Sequence, residues 1–304
     1  MFTEQEVIGL QAEHHPLVPT EVFADLEEYC LHLLHQKAYE EAAQLAQQKV
    51  VLDMGCNNGY GTYVISTKAS RVVGVDVSHR AIEAARRAYG RPGVEFLAID
   101  GMGLPFADHS FELIVSFQVI EHIAEVQPYL QEIARVLTPD GIVLFTTPNA
   151  RIRLDPGMKP WNEFHVREFT VAELSATLRP VFAEVKIRGL FASHSLHSVE
   201  FNRIQKAREQ ARKQAQAILP PWWKVRSRMI DGVKAVLPHT VVANLRRAMH
   251  KTAQNQEAPV QLPQTRDISR STAAWAQQYS TADLCYREED MDSALDLMAV
   301  CRVR

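Results

Sequence analysis

The stretch Val50-Val-Leu-Asp-Met-Gly-Cys-Asn-Asn-Gly-Tyr-Gly-Thr62 runs from β-forming residues through a glycine-rich turn into helix-forming residues. A strand that changes into a helix at glycines brings backbone N–H groups and a helix N-terminus close to a ligand. The dinucleotide fingerprint needs glycines at the first, third and sixth positions of such a turn. Counted from Gly55, the third and sixth positions hold Asn57 and Tyr60. The turn therefore fits a dinucleotide poorly and favours a cationic nucleoside ligand without phosphates.

An acidic residue stands directly before this turn. Asp53 closes the apolar run, and glycines follow at positions 55, 59 and 61. An acid followed by Gly-x-Gly-x-Gly is motif I of the class I S-adenosylmethionine (AdoMet) methyltransferases, which the stretch resembles, with Asn57 in place of the middle glycine. We interpret Asn57 as a tolerated variant, because Asn adopts positive φ more readily than most residues. The resemblance implies that AdoMet is the cofactor, held here by Asp53, Gly55, Cys56, Asn57 and Gly59.

Two further apolar runs also end on carboxylates. Arg71–Asp76 closes on an acid 23 residues after Asp53, where a βαβ unit places an acceptor for ribose hydroxyls. A third run from Val94 ends at Asp100. In the family that the chain resembles, this third acid faces the adenine amino group and the next amide meets the ring. The same resemblance adds four residues to the predicted cofactor site: Tyr39, Val77, Gly101 and Phe117. The alternatives are that Tyr39 is an ordinary buried tyrosine and that Phe117 is a core residue.

The order of these elements predicts an α/β fold. We expect a Rossmann-like, seven-stranded class I methyltransferase sheet with helices on both faces, an antiparallel last strand, and a helical insertion before that strand. We predict the fourth strand at residues 111–117, a turn at 137–141 and the fifth strand at 142–149. Residues 181–191 and 293–303 predict an antiparallel pair at one sheet edge. The predicted units are a helical leader (1–48), an AdoMet-binding core (49–193), a basic helical insertion with linker (194–267) and a return segment (268–304).

Composition predicts a cytoplasmic, reduced enzyme. The four cysteines are scattered, with neither a Cys-x-x-Cys pair nor a histidine cluster at zinc spacing, so we expect no metal. The N-terminus lacks an apolar signal core, and no run of 18 apolar residues occurs. His32 and His35, in an acidic helical leader, are predicted to face solvent.

Charge is concentrated in one segment. Residues 195–251 carry twelve Lys and Arg but only three acids, while the whole chain has a net charge of −3. A solvated helical face, an anionic acceptor site and peripheral contact with an anionic membrane all remain open as explanations. Nucleic acid is a less favoured partner, because the Lys and Arg residues lie in predicted helices without an RNA-binding module. The residues Thr147-Pro-Asn149 also lack the Asn/Asp-Pro-Pro-Tyr/Phe signature of adenine and amino-group methylases.

The residues beyond the fifth strand suggest the acceptor. Trp161-Asn-Glu-Phe-His-Val-Arg-Glu-Phe-Thr170 resembles a stretch of bacterial methyltransferases that accompany glycosyltransferases of cell-surface polysaccharide and glycolipid synthesis. This resemblance implies O-methylation of a small-molecule or lipid-linked glycan acceptor. His122 and His165 are then the candidate general bases, with Glu121 a weaker one, and His165 alternatively orients its loop against Glu168. A quinone-type acceptor, RNA, and an AdoMet-binding sensor or scaffold without turnover stay open.

Overall fold

The computed structural model describes residues 23–218 and 265–303. It contains one eight-stranded sheet, in the order β3-β2-β1-β4-β5-β8-β6-β7. The strands are β1 (Val50–Met54), β2 (Arg71–Asp76), β3 (Val94–Ala98), β4 (Phe111–Phe117), β5 (Leu137–Pro148), β6 (Glu184–Ala192), β7 (Leu284–Arg287) and β8 (Asp296–Arg302). The helices are α1 (Leu26–Leu45), α2 (Tyr60–Ser66), α3 (His79–Tyr89), α4 (Val126–Val136), α5 (Ala150–Arg153), α6 (Val171–Leu178), α7 (His194–Ile218) and α8 (Thr265–Gln278).

The sheet combines parallel and antiparallel pairing. Strands β1 to β5 are parallel neighbours, whereas β8 lies between β5 and β6 and is antiparallel to both. The predicted antiparallel last strand is therefore confirmed. All five parallel strands place their carboxyl ends at one sheet edge, where ligands bind in open α/β sheets.

Side-chain alternation along the strands gives the sheet two buried faces. In β1, Leu52 faces the cluster that contains α4 and α6, while Val51 faces the cluster that contains Ala38 and Ala42 of α1. Strand β4 repeats this alternation. Because successive strand residues point to opposite faces, both faces need helices to cover them.

Two details of the predicted sheet were wrong. The sheet has eight strands instead of seven, because β7 adds to the free edge of β6 in antiparallel register. Strand β5 begins at Leu137, within the predicted turn, because Leu137 is buried and pairs with Phe111 before the register shifts. His32 is also not solvent-facing: it is half-buried, its ring lies 4.9 Å from that of Phe23 and 5.1 Å from that of Tyr60, and burial lowers its pKa.

The insertion before the last strand is described only in part. Helix α7 begins at His194, the first residue of the predicted insertion, and extends to Ile218. Residues 219–264 of the predicted insertion and linker lie outside the described residues. Within the described ranges, no helix has both the length and the apolar character needed to cross a membrane.

Candidate active site

The glycine loop after β1 is tied to the end of β2. The N–H of Gly55 donates to the backbone oxygen of Val75 at 2.8 Å. Gly55 has φ +74°, and a Cβ there would lie 2.5 Å from Cγ2 of Val119. Gly59 has φ +83° and precedes the first residue of α2. Both positions therefore exclude a side chain, and the loop lies directly against the turn that follows β4.

Asn57 occupies the position of the missing middle glycine. Its φ is +47°, the left-handed conformation that our interpretation of this residue required. Its N–H donates to Oδ2 of Asp76 at 2.9 Å. Its own Oδ1 is buried and has no hydrogen-bond partner among the described residues. A buried polar atom without a partner suits a site whose ligand supplies a donor. Next to it, Cys56 is also buried.

Asp76 closes β2 beside this loop. Its Oδ1 accepts the N–H of Ser78 at 2.9 Å, so both carboxylate oxygens accept backbone donors. Burial raises the pKa of Asp76, although the amides of Ser78, Asn57 and Val77 oppose that shift. The carboxylate is thus fixed by the backbone at the place predicted for the ribose.

The loops after β2 and β3 meet each other. The N–H of Ile99 donates to the backbone oxygen of Asp76 at 3.0 Å. A Cβ on Gly101, which has φ +77°, would lie 3.5 Å from Cγ1 of Val77. Asp100 is exposed, and its Oδ1 accepts the N–H of Met102 at 2.9 Å. The third predicted acid therefore lies at the protein surface beside these loops, whereas Asp76 is buried.

Asp53 is fully buried behind the loop. Thr62 Oγ1 donates to its Oδ2 at 2.6 Å, and Tyr39 Oη donates to its Oδ1 at 3.4 Å. Burial raises the pKa of Asp53 to about 7, against the effect of these two hydrogen bonds. The Tyr39 ring packs on Gly61, where a Cβ would lie 1.9 Å from it, and its centroid is 5.0 Å from that of Phe117. The structure thus brings Tyr39 and Phe117 together with the acid of the glycine loop.

A second polar group follows β4 and extends to the loop beyond β5. Glu121 is fully buried, and burial raises its pKa to about 8. Its Oε2 accepts Thr147 Oγ1 at 3.1 Å. The backbone oxygen of Glu121 accepts the N–H of Val166 at 2.9 Å, which holds the second loop in place. The rings of the two candidate bases, His122 and His165, lie 4.8 Å apart at an angle of 89°.

His165 is held by a buried ion pair. Its Nδ1 lies 2.9 Å from Oε1 of Glu168, which Arg153 also contacts through two nitrogens at 2.9 and 3.1 Å. Burial alone would raise the pKa of Glu168, but His165 and Arg153 outweigh it and hold that pKa below its usual value. The Arg153 guanidinium stacks on Trp161, 4.1 Å from the ring centroid. The contact between His165 and Glu168 that the alternative role of His165, orienting its loop, would need is present in the structure.

Sequence reasoning missed several polar residues of this site. Thr147, Arg153 and Asp296 were not predicted, although all three are buried. Gln118, at φ +56°, donates from Nε2 to Oδ2 of Asp296 at 2.9 Å. For Thr147 and Asp296 the available signal was a polar residue in an otherwise apolar strand, because a buried polar group needs a partner. Arg153 lies in α5 and gave no such signal.

The described basic residues of α7 are neutralised by carboxylates. The acidic partners include Glu27, Asp155 and Glu200. Each of the five bases has such a partner: Arg203, Lys206, Arg208, Arg212 and Lys213. In this part of the chain the local excess of bases is therefore compensated within the fold.

Part of this core is similar to a known protein family. Residues 52–145 match the family model described as a methyltransferase domain. A probable S-adenosylmethionine-dependent methyltransferase of Mycobacterium tuberculosis is 36% identical over 178 residues, which cover 58% of this chain and 64% of the relative. A fatty-acid O-methyltransferase of Mycolicibacterium smegmatis is 31% identical over 45% of this chain and 49% of the relative. The chain thus spans less than two thirds of the length of these relatives.

A solved structure agrees with the fold over nearly the whole chain. The crystal structure of the cyclase SpnF aligns with a TM-score of 0.51 at 16% identity, covering 98% of this chain and 92% of that one. At this identity the likeness concerns the fold and not the reaction. Residues 52–145 are therefore similar to the methyltransferase domain family, and the chain has an α/β, Rossmann-like fold.

Proposed function

We propose that the protein is an AdoMet-dependent methyltransferase that methylates an oxygen of a glycan, glycolipid or related small-molecule acceptor. The observation that carries the proposal is the meeting of the glycine loop with Asp53 and Asp76 at the carboxyl edge of the sheet. Both acids are buried there, next to turns that exclude side chains. The methyltransferase domain match covers the same residues.

The site fits AdoMet on three counts. The orphaned Oδ1 of Asn57 accepts a donor from a ligand, and positive-φ glycines give the ligand access to the backbone. Asp76 would hold the ribose hydroxyls, and Asp100 with the amide of Gly101 would meet the adenine. The buried carboxylate of Asp53 suits the cationic end of the cofactor. When bound, AdoMet supplies a methyl group on a sulfonium, an electrophile that needs only an aligned nucleophile.

The acceptor would bind where the turn after β4 meets the loop after β5. A sugar hydroxyl is a poor nucleophile at neutral pH, so a nearby base helps. His122 and His165 are the candidates, and their rings are in contact. The Trp161–Thr170 stretch supports a glycan or glycolipid. A lipophilic acceptor is the second candidate, because one relative is named a fatty-acid O-methyltransferase.

Three other predictions stay predictions. Peripheral membrane contact through residues 195–251 concerns mostly residues outside the described ranges. RNA is disfavoured as the acceptor, because the described Lys and Arg side chains of α7 already form ion pairs with carboxylates. A sensor or scaffold would bind AdoMet without transferring the methyl group.

Calorimetric titration of the whole chain with AdoMet tests the cofactor site. Hydrogen bonds to a buried charge are worth about 1.5–3 kcal/mol each. Asp76→Ala should therefore bind AdoMet at least about tenfold more weakly than wild type. Asp140→Ala, which removes an exposed acid at the amino end of β5, is the control and should bind normally. Equal affinity of wild type and Asp76→Ala would overturn the assignment of the site.

Transfer of a labelled methyl group then tests the acceptor. Lipid-linked and free glycans form one panel, and fatty acids with phenols form the other. Label in the first panel supports the proposed acceptor, and label only in the second favours the lipophilic one. AdoMet binding without transfer to either panel would support the sensor and contradict the enzyme.

A further inference from the structure

Glu121, His122 and His165 form a compact group of metal-ligating side chains. One ligand atom of each lies within 4.8 Å of the ligand atoms of the other two. Glu121 and His122 follow β4, and His165 comes from the loop beyond β5. We propose that these three side chains bind a divalent transition-metal ion such as Zn²⁺ or Fe²⁺. From the spacing of the cysteines and histidines we expected no metal site. That spacing does not reveal this group, because His165 lies far from Glu121 and His122 in the chain.

The two histidines are already oriented as metal ligands are. His122 Nδ1 donates to the backbone oxygen of Phe164 at 2.9 Å, and His165 Nδ1 donates to Glu168 Oε1 at 2.9 Å. Because Nδ1 of each ring donates to its acceptor, Nε2 is the ring nitrogen that would coordinate a metal. Metal-bound histidines almost always donate their other N–H to a carboxylate or a backbone carbonyl. The cluster thus contains one example of each arrangement.

Glu121 supplies the anionic ligand. Its side chain is fully buried, and Oε2 accepts a hydrogen bond from Thr147. Its Oε1 has no hydrogen-bond partner in the described part of the chain. A buried carboxylate oxygen without a partner is costly, and coordination to a cation would satisfy it.

The donor set defines the class of metal. Two imidazole nitrogens and one carboxylate oxygen occur in three-ligand catalytic zinc sites and in non-haem iron sites, which keep positions open for an exogenous oxygen. Ligand atoms about 2.1 Å from a tetrahedral metal are about 3.4 Å apart. Closing the cluster from 4.8 Å therefore requires side-chain movements of about 1 Å.

The location suggests what such a metal would do. The turn that carries Glu121 contacts the glycine loop through Val119 and Gly55. A metal here would hold an oxygen of the acceptor beside the cofactor site, with the two Nε2 atoms acting as ligands instead of bases. This role rests on the proposed methyltransferase function, whereas the binding of the metal does not.

Metal titration of the chelator-treated, full-length protein tests the proposal. Co²⁺ binding is followed by its visible absorption, and Zn²⁺ binding by calorimetry. We expect one ion per chain, and at least about tenfold weaker binding in His122→Ala, His165→Ala and Glu121→Gln. His109→Ala is the matched control, because Nδ1 of His109 also lies 2.9 Å from a backbone oxygen, that of Leu137, at the other edge of the sheet. This control should bind metal like wild type.

Two further measurements make the result decisive. Circular dichroism checks that each variant is folded, and Glu121→Gln preserves the shape of the side chain if the alanine variants fail. Titration of the same proteins with AdoMet tests the metal site and the proposed function separately. The proposed function is tested by AdoMet binding to Asp76→Ala, and the metal site by metal binding to the three ligand variants. Absence of Co²⁺ and Zn²⁺ binding by wild type, or unchanged binding by all three folded ligand variants, would overturn the metal site.

Discussion

Asp53→Asn should make the protein more stable above neutral pH. The wild-type carboxyl is fully buried, and its hydrogen bonds from Thr62 and Tyr39 compensate burial only in part. Its pKa is therefore raised from 3.8 to about 7. Asn has nearly the same shape and no charge, so it removes the cost of burying the carboxylate.

The size and sign of the effect follow from this pKa. A raised acid pKa means that the folded state binds the proton more tightly than the unfolded state. The wild type thus loses stability as pH rises from about 4 to about 7, by about 4 kcal/mol in total at about 1.4 kcal/mol per pH unit. About 2.5 kcal/mol of this loss should develop between about pH 5 and about pH 8.

Urea unfolding of wild type and Asp53→Asn at these two pH values measures the effect. The difference in the free energy of unfolding should grow in favour of Asp53→Asn towards the higher pH. Glu121 and Asp296 are present in both proteins and cancel in the difference. Asp76 is coupled to Asp53 and raises its pKa, so removing the charge of Asp53 also relieves Asp76 and acts in the same direction. The exposed Asp140→Asn should show no such trend. A difference that is the same at both pH values would refute the burial argument.

The same carboxyl links pH to cofactor binding. A cation beside Asp53 stabilises its charged form and lowers its pKa. AdoMet should therefore bind more tightly as pH rises towards about 7, by up to about tenfold per pH unit, and the affinity should level off above that pH, where the carboxyl is already ionised. Calorimetry across this range should show the trend in wild type and its loss in Asp53→Asn. An equal pH dependence in both proteins would place the cation elsewhere.

Three further substitutions test the packing of the site. Gly61→Ala should destabilise by about 1–3 kcal/mol in urea unfolding, because its Cβ would meet the ring of Tyr39, and Tyr39→Leu should restore part of that stability. Thr170→Ala should cost about 1 kcal/mol in the same assay, because it removes the capping box of α6. Arg153→Met should cost about 3–5 kcal/mol in thermal unfolding, because it leaves Glu168 buried without its guanidinium partner. Unchanged stability in any of the three would contradict the corresponding contact.

The sequence contained enough to predict the parallel half of the sheet. Strands β1, β2 and β4 occur where apolar runs predicted them, because each run is short and bounded by an acid, a glycine or a polar turn. The positive φ of Asn57 agrees with the interpretation of this residue as a replacement for the middle glycine of the motif. Such features are local, so periodicity and spacing are sufficient to find them.

The missed features depend on contacts between distant residues. Strand β7 has only four residues and pairs with β6 about a hundred residues earlier, so no local pattern distinguishes it from a loop. His32 belongs to a polar leader, but its ring packs between Phe23 and Tyr60. Tertiary packing decides both cases, and one sequence does not show which partner a segment finds.

The buried acids differ in whether the chain supplies them with a cationic partner. Glu168 has Arg153 and His165 beside it, so its charge is balanced by the chain itself. Asp53 and Glu121 are equally buried, yet neither forms an ion pair within the described ranges. A buried carboxylate without a cation lowers stability, so its presence is best explained by a ligand that brings the positive charge. Asp53 lies at the glycine loop and suits the cationic cofactor, whereas Glu121 lies between two histidines and suits a metal ion.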